Sequence, residues 1–247
     1  MAYREDIDLA FLAKVSSEDL EDLVYTLTHD KDGKSRWTEE LTKNERYKTN
    51  YPEHNKYWEE IAAEIQCFGG NTLATAIRGG KGVLYKEVLI DVCKQLKVNF
   101  NKDSSVETIE SNLLMKILSD AVEKMTPEEI NELALSFGMS FDSIPTKQII
   151  LGSFQAIFKV GGFKSYQLTV TLVNAILKAI IGRGLSLGGN VILTRSMSII
   201  AGPIGWVITG IWTAVDLAGT AYRVTIPSVI TIAVLRQKKL YELTESK

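Results

Sequence analysis

SMSIIAGPIGWVITGIWTAV, residues 196–215, carries no charge and is interrupted near its start by Gly202-Pro203. An uncharged run of this length matches the span of a bilayer core as a helix. Proline cannot continue a helical hydrogen-bond ladder but suits a first turn, so Gly202-Pro203 is expected to end one helix and begin another. The reading outward from it is a hairpin over Leu187–Tyr222, two apolar helices back to back. Ala201, Gly205, Thr209 and Thr213 fall four apart in the second arm, and Gly210, Ala214 and Ala218 form a second row. Small residues at this spacing let helix backbones approach closely. Trp206, Trp212 and Tyr222 add amphipathic rings of the kind found at lipid interfaces. Arg195 and Asp216 place one charge in each arm, suited either to pairing across a membrane hairpin or to a salt bridge in a protein core.

The surroundings of the run are as lopsided as the run itself. From Gln148 to Leu235 the only acidic residue is Asp216. The net charge of the 247-residue chain is −2, but residues 1–147 carry a net −9 and residues 148–247 a net +7. Such asymmetry implies two parts attracted to each other, or a basic part that meets an anionic surface. Apolar content of 45% and charged content of 23% are ordinary for a globular protein.

Helical periodicity runs through most of the chain. Trp58, Ile61, Ile65 and Phe68 recur at three- and four-residue steps, as do Val106, Ile109, Leu113, Ile117, Ala121 and Val122. Ser104 with Glu107, and Thr126 with Pro127 and Glu129, match capping boxes. Pro52 suits another helix's first turn, and the pairs Gly69-Gly70, Gly79-Gly80, Gly161-Gly162 and Gly188-Gly189 read as stops. Gln167–Val173 is the most strand-like stretch. The fold expected is all-α, a multi-helix bundle with a buried, glycine-rich hydrophobic hairpin near the C-terminus. The composition shift near Met139–Pro145 divides it into residues 1–145, an acidic amphipathic cap, and residues 146–247, a basic apolar region holding the hairpin.

Chemistry is hard to find. Gly184-Leu185-Ser186-Leu187-Gly188 matches G-x-S-x-G, but both histidines, His29 and His54, lie upstream and the flanks are helical. Gly79-Gly80-Lys81-Gly82 lacks the phosphate-loop spacing, leaving Asn71, Arg78 and Lys81 as candidates for an anion or partner contact. Asp30-Lys31-Asp32-Gly33 lacks the distant glutamate of a calcium loop, because position twelve is Leu41. Two cysteines and two histidines at unrelated spacings give no zinc pattern. Dispersed basic residues without interleaved aromatics give no nucleic-acid surface. Catalytic residues, cofactor and metal are therefore all expected to be absent. Cys67 and Cys93 read as free thiols, and the acidic N-terminus lacks a signal-peptide pattern, which suits the cytoplasm.

Three stretches carry a family resemblance: DIDLAFLAKVSSEDLEDLVYTLTHDKDGKSRWTEEL, CFGGNTLATAIRGGKGVLYKEVLIDVCKQL and AYRVTIPSVITIAVLRQK. Together they resemble the YaaW-type family of bacterial proteins, which implies a bacterial cytosolic origin and no particular activity. The apolar hairpin is also similar in pattern to colicin pore-forming domains, which are all-α bundles enclosing a hydrophobic hairpin. Two functions follow. The first is a conditional membrane-associating, pore-forming protein that hides its hairpin until it moves to anionic lipid at the inner face of the membrane. In that reading residues 1–145 form a regulatory cap that can also meet a protein partner; the alternative is a soluble cytosolic helical interaction or chaperone-like module in which the hairpin is simply core. The oligomeric state is open in both.

Overall fold

The helix at the centre of the molecule is the last one, and its sequence explains why. Val224–Arg236, VTIPSVITIAVLR, is buried at every position. A helix apolar on all faces has to be surrounded. Its hydroxyls are accommodated locally: Ser228 Oγ donates to the Val224 carbonyl at 2.8 Å, and Thr231 Oγ to the Pro227 carbonyl at 2.8 Å. Pro227 has no N–H, so the Arg223 carbonyl one turn back loses its helical donor. The Arg36 Nη2 lies 3.4 Å from that carbonyl.

The computed structural model describes residues 2–36, 39–69, 82–186, 194–218 and 221–245, with side chains for all of these except 194–195 and 211–218. Ten α-helices occur among them: α1 Ser17–Thr28, α2 Glu45–Asn50, α3 Trp58–Gly69, α4 Tyr85–Gln95, α5 Val106–Val122, α6 Pro127–Ser136, α7 Lys147–Val160, α8 Gly162–Ile181, α9 Thr194–Ala218 and α10 Tyr222–Glu245. Turns of 3₁₀-helix precede α1 (Ala10–Lys14) and α3 (His54–Tyr57). No strand occurs among the described residues; His29 and Ser35 form an isolated bridge. The fold is all-α, as the periodicity predicts. Gln167–Val173 lies inside α8, where Leu168, Leu172, Val173 and Ile176 are fully buried at helical spacing.

Local signals fix several helix ends. The Thr126–Glu129 capping box is formed in both directions, at 3.2 and 2.8 Å. For α5 the cap is Ser105, not Ser104: its Oγ accepts the Thr108 amide at 3.4 Å. Pro52 sits in the turn after α2 rather than in a first helical turn. Gly161 and Gly162 have φ of +76° and +71°, a left-handed corner open to glycine at little cost, and they turn α7 sharply into α8.

α10 packs against α1, α3, α4, α5 and α8, while α9 lies on α8, α5 and α6. Ion pairs cross from residues 148–247 to residues 1–147. Lys238 on α10 meets Asp19 on α1 at 2.5 Å, and Arg183 after α8 meets Asp22 on α1 at 3.5 Å. Lys147 on α7 reaches Glu123 after α5 at 3.4 Å.

The hairpin expectation is corrected here. Gly202-Pro203 does not turn the chain; α9 runs through it as one helix with Pro203 inside. Ser196, Ile200, Pro203, Ile204, Val207 and Ile208 form its buried face, so packing of the proline ring overrides its helix-breaking tendency. Among the described residues no helix is long and apolar enough to cross a membrane.

Candidate functional site

Three groups of residues could carry function: the α9 face singled out by the sequence, a polar cluster in the core, and a groove beside the end of α10. On α9, Gly202, Trp206 and Gly210 are exposed, Gly205 is half-buried and Pro203 is buried. Gly202, Gly205 and Gly210 have no atom within 4 Å of where a Cβ would stand, and Trp206 is 75% exposed. Among the described residues these three glycines therefore do not mediate close helix packing. Tyr222 opens α10; burial, then a hydrogen bond with Asp91, pushes its phenol up to about 12. The side chains of Arg195, Trp212 and Asp216, and the whole of Asn71, Arg78 and Lys81, lie outside the described residues. Of the sequence candidates described with side chains, Gly202, Pro203, Gly205, Trp206 and Gly210 share α9, and Tyr222 lies in the first turn of α10.

Sequence reasoning missed the core cluster. Arg236 Nε donates to Glu110 Oε2 at 3.0 Å and Oε1 at 3.2 Å, and its Nη2 donates to the Asp8 carbonyl at 2.7 Å. Tyr85 Oη donates to Glu110 Oε1 at 2.6 Å, while the rings of Phe11 and Tyr85 flank the guanidinium. Burial pushes the Glu110 carboxyl up, and Arg236 and Tyr85 pull it back. Nearby, Asp6 accepts the Tyr85 amide at 2.7 Å and the Gln66 side-chain amide at 3.2 Å. Through these bonds the cluster links α3, α4, α5 and α10. A legible signal existed: Glu110 lies on the apolar stripe of Val106, Ile109, Leu113 and Ile117.

Ser186, from the G-x-S-x-G match, is likewise structural. Its Oγ donates to Asp22 Oδ1 at 2.6 Å and its amide to Asp22 Oδ2 at 2.8 Å. Burial raises the Asp22 carboxyl, opposed by these bonds to Ser186 and by Arg183. Asp30 Oδ1 accepts the amides of Asp32 and Lys34 at 2.9 Å each, so its loop is a closed turn. Among the described residues no group of three His, Cys, Asp or Glu could hold a metal ion.

Among the described residues the groove encloses about 740 Å³. One wall is the outer face of α5, where Thr108, Ser111, Asn112, Met115 and Ser119 form a mostly uncharged ledge. The other is built from the end of α7 and the last turns of α10, through Phe158, Val160, Leu240 and Tyr241. The double-glycine corner ends α7 with Val160 85% exposed, and α10 projects beyond its buried stretch with Leu240 and Leu243 in solvent. Tyr241 is held from below by stacking on Tyr166, with ring centroids 5.5 Å apart. Chemically the groove offers apolar area and neutral hydrogen-bonding groups, with Glu107, Lys116 and Lys159 the charged groups among its described lining residues.

Residues 53–231 match the family described as ubiquinol-cytochrome C chaperone, and residues 3–37 match a domain of unknown function, DUF3944. A UPF0174 protein of Helicobacter pylori strain J99 is 49% identical over 96% of this chain and 94% of its own length. A second UPF0174 protein of that strain is 44% identical over 81% of this chain and 97% of its own. The UPF0174 protein YaaW of Escherichia coli K12 is 34% identical over 95% of each. No solved structure matches, and the likeness to colicin pore-forming domains has no support. The expectation of a membrane-associated, pore-forming protein is overturned by the chaperone-family match together with the absence of a spanning helix among the described residues. These findings give the expected anionic-lipid partner no support.

Proposed function

This chain belongs to the UPF0174 family and, through residues 53–231, to the ubiquinol-cytochrome C chaperone family, and from that premise we propose that it is a non-catalytic, chaperone-like module that binds apolar segments of a partner protein. The observation that carries the reading is the groove between α5, α7 and α10, with its uncharged ledge and the exposed Val160 and Leu240 on its rim. A contiguous exposed apolar rim around a groove is characteristic of protein-binding surfaces. The fitting occupant is a short helical or unfolded apolar stretch of a client, because the groove offers few charges to select a charged one.

The division near residue 145 enters this reading as a division of labour. Residues 1–145 supply the α5 wall, and residues 146–247 supply the α7 and α10 wall. The compartment that suits the reading is the cytoplasm, where Cys67 and Cys93 stay reduced. Burial pushes the Cys93 thiol up to about 12, which keeps it protonated and unreactive.

The test is light scattering from a chemically denatured client protein diluted with and without this chain. Wild type should suppress aggregation at near-equimolar ratio. The double variant Val160→Glu, Leu240→Glu should lose that suppression while unfolding at the same temperature. Leu135→Glu, at another exposed apolar site, on α6, should retain it. Suppression unaffected by the groove variant would remove the groove from the proposal.

A further inference from the structure

A second cavity, of about 170 Å³, is lined by Asp30, Lys31, Asp32, Arg36, Ile180, Ile181 and Arg223. It is separate from the groove and is formed where the turn after α1 meets the end of α8 and the start of α10. At roughly 30 Å³ per water it would hold five or six waters, or one tetrahedral oxyanion with a partial shell.

The turn that builds it is stiff. Asp30 Oδ1 ties down the amides of Asp32 and Lys34, the Asp30 amide donates to the Lys34 carbonyl at 2.8 Å, and the Arg36 amide donates to the Thr28 carbonyl at 2.8 Å. Gly33 takes φ +73° to close it. Asp30 thus turns one carboxylate oxygen to backbone donors. The Gly182 corner fixes the opposite side, since a Cβ there would stand 3.3 Å from the Lys31 carbonyl.

Arg36 is the residue whose chemistry is unfinished. Its Nη2 reaches the Arg223 carbonyl, the acceptor freed by Pro227, yet its Nε is buried with no hydrogen-bond partner among the described residues. A buried guanidinium donor without an acceptor is costly. The cavity places Arg36 together with the side chains of Arg223 and Lys31, against two carboxylates, one of which is engaged in the turn. The first turn of α10 adds the positive end of a 24-residue helix. Burial, and then the neighbouring charge of Arg223, lower the affinity of Arg36 for its own proton, against the pull of Asp30. An anion in the cavity would relieve that burden.

We propose that this cavity binds a tetrahedral oxyanion, inorganic phosphate or the phosphoryl group of a small ligand, with Arg36 as the forked donor and Lys31 and Arg223 as supporting charges. Guanidinium geometry matches phosphate oxygens two at a time, which a lysine cannot reproduce. The site would make the fold respond to a phosphoryl ligand, because its occupant bridges the α1 turn to the first turn of the central helix.

The experiment is calorimetric titration and thermal unfolding of the full chain with inorganic phosphate, at ionic strength held constant with chloride. Phosphate should bind with a measurable heat and raise the unfolding temperature where chloride does not. Arg36→Gln should abolish both, and Arg36→Lys should weaken binding roughly tenfold despite keeping the charge. If Arg36→Gln fails to fold by circular dichroism, Lys31→Gln decides, with several-fold weaker binding expected. A parallel titration with adenosine monophosphate separates the sources: equal affinity points to free phosphate, and tighter binding to the phosphoryl end of a larger ligand. No phosphate-specific heat, or undiminished binding in Arg36→Lys and Lys31→Gln, would overturn the site.

Discussion

Arg236 and Glu110, 126 positions apart, meet in the core with Nε 3.0 Å from Oε2 and 3.2 Å from Oε1. The pair joins the central helix α10 to α5, one wall of the groove, and Tyr85 and the Asp8 carbonyl complete its coordination. Breaking such a pair from one side leaves a buried charge alone. Arg236→Met should therefore destabilise the fold by about 3–5 kcal/mol, measured by urea unfolding. Arg236→Met with Glu110→Leu should recover much of that loss, because the pair's desolvation disappears with its attraction. A double variant as unstable as the single one would mean that the cluster is needed for packing shape and not for charge balance.

Glu64 gives the fold a pH dependence of its own. It is 1% exposed; Oε1 accepts the Glu40 amide at 3.0 Å, and Oε2 has no partner. Burial pushes its carboxyl up to about 7, the Glu40 amide opposing and the charges of Glu39 and Glu40 adding to the rise. The folded state therefore holds a proton between about pH 4.5 and 7 that the unfolded chain has released. This contribution is fully present below the unfolded value and is lost as pH rises toward 7, an effect of order 3 kcal/mol. Glu64→Gln should flatten the stability profile across that window and stabilise the protein at pH 8. A profile unchanged by Glu64→Gln would assign the dependence to other groups.

The exposed side of α9 makes an opposite kind of prediction. Gly205 and Gly210 sit in a helix with open space where a Cβ would be. Glycine inside a helix is less stable than alanine by roughly 0.5–1 kcal/mol. Gly205→Ala and Gly210→Ala should each raise stability by about that amount in chemical denaturation. A loss of stability would show that this face is covered in solution.

Tyr85→Phe tests the hydroxyl that reaches Glu110. Removing it leaves a buried carboxylate short of a donor while the ring keeps its place, so a loss of about 1–3 kcal/mol is expected. Because the groove lies outside this cluster, client suppression measured below the unfolding temperature should stay intact.

These residues also show how far the sequence could be read. The helices over Trp58–Phe68 and Val106–Val122 were legible because their apolar residues repeat at helical spacing, and Thr126–Pro127–Glu129 because a cap is a local hydrogen-bond pattern. Gly202-Pro203 misled for a physical reason. A proline that starts a helix and a proline buried within one have the same neighbours in sequence, and only contacts of α9 with α5, α6 and α8 decide between them. The small-residue rows of α9 carried the same ambiguity, since spacing shows a face without showing what lies against it. Glu110 was readable as a charge on an apolar stripe, but its partner was not, because nothing local links it to Arg236. The groove was beyond reach: its walls come from α5, α7 and α10, and it exists only after the Gly161-Gly162 corner and the projecting end of α10 are placed together.

Hydrogen exchange on the full chain, with and without a permanently unfolded client such as reduced, carboxymethylated α-lactalbumin, bears most directly on the groove as a protein-binding site. The expected result is slower exchange confined to residues 107–119, 155–162 and 237–244, lost in Val160→Glu, Leu240→Glu. No client-dependent protection, or protection confined to the exposed face of α9, would contradict it.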